Sequence, residues 1–242
     1  MPVDVGHTEW ERTVNKTPTV ELHRHLEAGI DPDTIAVLAQ KNGVTEFKVK
    51  DQVIVGVDPQ DPESIRKYLS GIVSGFKGPT GFADFLKAFM AINSVIRSLE
   101  DLEYVVFEQL RREQLEGSIH TELRGSPMSL LRALGFEKYL SDYRQLIVPL
   151  REIIGAQRAA LKRAYEELEM SGALIFCFSR EKGLTPQGKP GFGETGYDAE
   201  TDQARYVVEA ICEMFDPKNP FALDIAGMGE LRFPPEKFRG VF

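Results

Sequence analysis

Glu21-Leu22-His23-Arg24-His25-Leu26-Glu27 is the stretch whose reading decides the fold of this chain. Two of the four histidines stand here, one residue apart. A β-strand has a side-chain period of two. An unbroken strand therefore projects Glu21, His23, His25 and Glu27 from one face and Leu22, Arg24 and Leu26 from the other. Residues i and i+2 lie about 6.6 Å apart along a strand. From there two imidazoles can converge on one metal ion at about 2.1 Å. The same pair also reads as hydrogen-bonded histidines on a polar strand face.

Outward from this stretch, Asp31-Pro32-Asp33-Thr34 is a helix start: an acidic cap followed by proline in the first turn. The helix is expected to run to Asn42, with Gly43 as its stop. Residues 44–80 are mixed, with a short strand at 53–56 and a helical turn at 65–68. From Gly81, Phe82, Phe85, Leu86 and Phe89 recur at helical spacing and continue into Ile92 and Ile96, a stripe better suited to core than to a substrate lid. A second helix covers 99–116. Ser118-Ile119-His120-Thr121-Glu122-Leu123-Arg124 then reads as a strand closed by Gly125-Ser126-Pro127. A helix over 146–170, a strand over 173–180, a Gly/Pro-rich loop over 182–197 and a helix over 199–214 follow. The strand Phe221-Ala222-Leu223-Asp224-Ile225-Ala226 runs into Gly227. Strands alternating with helices predict a parallel sheet covered by helices. Polar residues at strand ends suit a (β/α) barrel. No glycine-rich phosphate turn follows the first strand, which argues against a doubly wound sheet.

A chain of 242 residues, 42% hydrophobic and 27% charged, is long enough for one sizeable core. Its net charge of −8 disfavours a nucleic-acid backbone or an anionic membrane as partner. No apolar run approaches the ~20 residues of a membrane span, and no signal-like stretch opens the chain, so a cytoplasmic location is expected. Cys177 and Cys212 both sit in apolar surroundings and are read as buried free thiols. His120 is either a third metal ligand or a structural member of a polar network with Glu122 and Arg124. Asp224 is either a structural acceptor or a partner orienting a ligand histidine.

Several separate segments resemble the adenosine deaminase family. Residues 19–27 resemble its first-strand signature, E-L-H-x-H-L-[DE]. Asp31-Pro32-Asp33-Thr34-Ile35, the Phe85-Leu86 to Phe89 segment, Gly117 to Pro127 and Leu223-Asp224-Ile225-Ala226-Gly227 are similar to later motifs in the same order. The resemblance implies a (β/α)8 TIM-type barrel in the α/β class. It also implies a zinc-dependent hydrolase that deaminates a small-molecule purine nucleoside or base. By that resemblance His23 and His25 are metal ligands, Glu27 contacts the substrate sugar, and Gly227 offers its backbone N–H to a purine nitrogen. This chain departs from the pattern in having Ala28 before Gly29, and Met228-Gly229 after Gly227.

The resemblance also implies a third histidine, a general-acid glutamate and later aspartates on strands beyond the fourth, yet no histidine follows His120. The expectation is therefore one barrel domain over 1–242, truncated at its C-terminus, with about the first four to five strands. In the longer enzyme it supplies half of the site. Two alternatives stand beside that reading. One is an inactive barrel fragment that serves as an interaction or dimerisation module through its exposed edge. The other is a deaminase for a different aminopurine compound.

Overall fold

The computed structural model describes residues 17–49, 52–75, 85, 87, 88, 91–136, 145, 147–179, 209, 212, 213 and 221–226. In chain order the elements are β1 (Thr19–His25), α1 (Pro32–Lys41), β2 (Lys48–Val49), β3 (Gln52–Val53), α2 (Pro62–Gly75), a 3-10 turn (Asn93–Val95), α3 (Leu99–Leu115), β4 (Ser118–Gly125), α4 (Pro127–Ala133), α5 (Ile147–Leu168), β5 (Ser171–Ser179) and β6 (Phe221–Ala226).

Local chemistry explains where the helices begin. The Asp31 carboxylate accepts the backbone N–H groups of Asp33 at 3.0 Å and Thr34 at 3.2 Å, which caps α1. Gly43, at φ 63°, takes the left-handed conformation that stops it. Ser98 Oγ accepts from Asp101 N at 3.1 Å and caps α3. Two helices exceed the sequence expectation. α2 spans 14 residues in place of a single turn. Ile65, Tyr68, Leu69 and Ile72 recur along it at helical spacing, with Ile65 fully buried. α4 begins where a loop closure was expected, with Pro127 in the first helical position.

The main sheet has the order β1-β4-β5-β6, and every neighbouring pair is parallel. β2 and β3 form a separate antiparallel pair. Each strand lies beside the one before it, with helices between. The order never reverses among the described residues, as a doubly wound sheet's would. This is the α/β, (β/α)8-barrel pattern carried through four strands.

Pairing register separates the two faces. Thr121, Leu123, Leu174, Phe176, Phe221 and Leu223 share the helix-covered face, since Leu123 pairs with Leu174, Leu174 with Phe221 and Phe176 with Leu223. Against them pack Leu102, Val105 and Leu110 of α3 and Leu150, Ile153 and Ile154 of α5, all fully buried. Gly172 gives these helices their close approach. A Cβ there would meet Leu161 Cδ2 at 2.6 Å and Leu110 Cδ2 at 3.4 Å. The opposite face carries His120, Glu122, Arg124, Ile175, Cys177 and Asp224.

The expected first strand is shorter and less regular than its alternation promised. It ends at His25, and residues 26–28 turn. Cys177 is buried as expected, but Cys212 is exposed, because helical residues 209, 212 and 213 are all on the surface. Most of the Phe82–Phe89 stripe lies outside the described residues. Ala88 within it and Ala91 and Ile92 beyond it are buried. No helix among the described residues is long and apolar enough to cross a membrane.

Candidate metal and substrate site

β1 brings His23 and His25 side by side, with ring centroids 5.2 Å apart and planes inclined by 52°. They stand at the C-terminal end of the strand, where barrel sites are built. His25 pairs across the ladder with Arg124, and Arg124 with Ile175. The next pair along, Cys177 with Asp224, completes a polar patch on the face away from the helices.

Glu21 does not join this patch. Glu21 pairs with Thr121 and Arg24 with Leu123, so three steps on β1 match two on β4. One extra residue at Leu22-His23 is a bulge, and it reverses the parity of Glu21 relative to His25. Glu21 thereby falls on the side of Thr121, near enough to Glu113 of α3 to repel its charge. Its carboxylate accepts the backbone N–H of His23 at 2.7 Å, inside the bulge. The four-residue face read from the alternation is therefore two residues, His23 and His25.

Arg124 ties the patch together. Nη2 donates to the Leu22 carbonyl at 3.1 Å and Nη1 to Asp224 Oδ2 at 3.3 Å. The same Asp224 oxygen accepts the Cys177 thiol at 3.4 Å. Burial and the neighbouring Asp224 push the Cys177 thiol far up, so it stays protonated. Burial, His23 and the Arg124 guanidinium, in that order, lower the His25 imidazole below 6.5, while Asp224 opposes them. The lowering favours the neutral imidazole, the form that ligates a metal.

Glu27 lies beyond the strand in the turn and is only 2% exposed. Its Oε1 accepts the Ser126 N–H at 3.0 Å, which links the ends of β1 and β4. Gly125 leaves room for this. A Cβ there would come within 3.1 Å of Leu26 and 3.5 Å of Glu27 Oε1. Gly227 lies outside the described residues. His120 is no companion to His25. It stands four residues before Arg124 on β4, about 13 Å along the strand. There Nδ1 lies 2.7 Å from Ser171 Oγ, which itself donates to the Ile119 carbonyl at 3.0 Å. The structural reading of His120 is the one observed, with Ser171 as partner in place of Glu122.

Two adjacent imidazoles are donors of the kind zinc takes. Among the described residues no group of three histidine, cysteine, aspartate or glutamate side chains is close enough to hold a metal ion. The pair fits part of a zinc site.

Sequence reasoning missed Arg124 as the strut of this patch, and it missed two residues behind it. Gln109 and Glu113 on α3 are buried. They fall at core positions in the spacing Leu102, Val105, Val106, Gln109, Leu110, Glu113. Polar residues within an otherwise apolar stripe were the signal available.

A four-stranded parallel run with paired histidines ending its first strand is the framework of a (β/α)-barrel protein. The sequence profile described as adenosine deaminase matches residues 18–188, and the chain belongs to that family. An adenine deaminase of Pseudomonas putida is 24% identical over 230 residues, which is 95% of this chain and 56% of that protein. An aminodeoxyfutalosine deaminase of Acidothermus cellulolyticus is 28% identical over 132 residues, 54% of this chain and 32% of that protein. A crystal structure of an amidohydrolase from Burkholderia ambifaria with bound zinc superposes at TM-score 0.64 and 18% identity, covering 99% of this chain and 52% of that one. The chain spans about half the length, or less, of these relatives.

Proposed function

We propose that this chain supplies the first half of a zinc-dependent site for hydrolytic deamination of a small-molecule aminopurine, nucleoside or base. The observation that carries the proposal is the half-buried His25 beside His23, with ring centroids 5.2 Å apart, at the end of a barrel's first strand. Membership in the adenosine deaminase family supports it.

In this reading His23 and His25 are two of the metal's ligands. The ion would supply Lewis acidity and, at neutral pH, an activated water. This chain's own residues do the holding. Arg124 pins the Leu22 carbonyl in the bulge that presents His23, and Asp224 holds Arg124. Burial, then His23, then the Arg124 cation lower the His25 imidazole. Glu27, fixed by the Ser126 N–H, is proposed as the acid that contacts the substrate, and Gly227 as the backbone donor to the purine ring. The proton required at a ring nitrogen as ammonia leaves comes from a general acid. No described residue of the patch is placed for that step.

The absence of a third donor among the described residues favours a second reading for the chain on its own, a catalytically silent barrel half. Zinc content and deamination of adenine and adenosine separate the two. The expected result is zinc retained by the wild-type chain and lost in His23→Ala and His25→Ala. Equal zinc in the wild type and both variants overturns the metal assignment. Zinc retention without turnover selects the silent half.

A further inference from the structure

Arg24, between the two histidines, turns away from the site and into the helix layer. Its Nε lies 3.3 Å from Glu113 Oε1, and its Nη2 donates to the Gly29 carbonyl at 3.4 Å. One helical turn earlier on α3, Gln109 Nε2 donates to the Leu26 carbonyl at 2.5 Å. Leu26 is the residue directly after His25. Both α3 side chains are buried, Gln109 at 3% and Glu113 at 4% exposure. The Arg24 and Gln109 side chains converge on Gly29. A Cβ there would stand 2.7 Å from the His25 carbonyl oxygen, 2.8 Å from Arg24 Nε and 3.0 Å from Gln109 Nε2.

This cluster is a poor way to gain stability. A buried ion pair recovers little beyond its desolvation cost, and Gln109 Oε1 has no hydrogen-bond partner. It does grip the backbone directly after His25, beside the sheet's own bond from the Leu26 N–H to the Arg124 carbonyl at 2.7 Å. The bulge removes Leu22 and His23 from the regular ladder, which resumes only at Arg24. Arg124 holds the Leu22 carbonyl inside the bulge from the open face, and α3 holds the Leu26 carbonyl from the helix face.

We propose that Gln109 and Glu113 are positioning residues that set the His23–His25 pair from behind the sheet, Gln109 through the Leu26 carbonyl and Glu113 through Arg24; the metal side of this rests on the reading of that pair given above. The geometry of the pair depends on α3 whether or not an ion is bound.

The test uses the whole chain as Gln109→Met, which keeps length and loses the donor, and as Glu113→Gln, which keeps shape and loses the charge. Asp101→Asn, on the same helix and remote from the histidines, controls for destabilisation alone. Two readouts are taken on variants that keep the wild-type far-UV circular dichroism and cooperative unfolding. One is the nuclear Overhauser contact between the His23 and His25 rings in the metal-free chain. The other is Co2+ affinity followed by the ion's visible absorption. The expected result is loss of the ring contact and about a 10- to 100-fold weaker Co2+ affinity in both variants, with both readouts unchanged in Asp101→Asn. If Gln109→Met fails to fold, Glu113→Gln decides. A ring contact retained at wild-type strength in the folded variants overturns the proposal. A wild-type chain that binds no Co2+ defeats the metal reading, and the ring contact then decides the positioning role by itself.

Discussion

Replacing Gly29 by alanine probes how tightly the exit of β1 is held. The added methyl would stand 2.7 Å from the His25 carbonyl oxygen. That oxygen cannot retreat easily, because it accepts the Gly29 N–H itself at 2.8 Å. The other two close neighbours, Arg24 Nε and Gln109 Nε2, are side-chain ends, but each is engaged with another group. Making room costs either the turn's own hydrogen bond or the Gln109–Leu26 bond. One net hydrogen bond is worth about 1 kcal/mol, and overpacking a tight site about 1–3 kcal/mol. The expected destabilisation is therefore about 2–3 kcal/mol. With a urea slope of about 2–3 kcal/mol/M, the unfolding midpoint should fall by about 1 M. Gly155→Ala is the matched control. A Cβ at Gly155 meets nothing within 4 Å, and the residue is inside α5. Alanine there should raise stability by about 0.5–1 kcal/mol through helix propensity. A Gly29→Ala midpoint within about 0.2 M of wild type would refute the packing argument, whatever the control does.

Other perturbations read different parts of the structure. The Asp101 carboxylate, fully buried, accepts from Lys41 Nζ at 2.5 Å, Asn42 Nδ2 at 2.7 Å and Arg97 N at 2.9 Å, joining α1 to α3. Asp101→Asn should cost about 2–3 kcal/mol in urea unfolding at neutral pH. Burial raises the Asp101 carboxyl, but the donors from Lys41, Arg97 and Asn42 outweigh it and hold the group below its ordinary 3.8. A depressed carboxyl contributes its stability above its unfolded value and loses it as pH falls through the folded value. The gap between wild type and Asp101→Asn should accordingly narrow as unfolding is repeated from pH 6 down to about pH 3, and a constant gap contradicts the assignment. Cys212 is exposed and Cys177 is buried with its thiol pushed up. Maleimide should label Cys212 within minutes in the native chain and Cys177 only on unfolding, as read by peptide mass; equal rates overturn the placement.

Much of the fold was legible from short-range chemistry. The Asp31 cap, the Gly43 stop and the strands at 118–125 and 221–226 follow from patterns that depend on a few neighbouring residues. The alternation of strands and helices was enough to give the parallel sheet. α2 was under-read although Ile65, Tyr68, Leu69 and Ile72 carry the helical period along most of its length. Cys212 was misplaced because apolar neighbours in sequence do not fix which side of a helix meets solvent.

At the site the division is sharper. The sequence by itself determined that His23 and His25 are neighbours on a strand end, because a separation of two residues puts them together on any extended backbone. It also determined that Arg24 points the other way. Only the tertiary structure decided that Glu21 leaves the histidine face. A bulge is set by the register between β1 and β4, residues about a hundred positions apart, and nothing local encodes it. The same holds for Arg124 spanning from Leu22 to Asp224, and for Gln109 and Glu113 reaching β1 from α3. Each of those contacts joins groups that only packing brings within hydrogen-bond range, and hydrogen bonding falls off within a few tenths of an ångström.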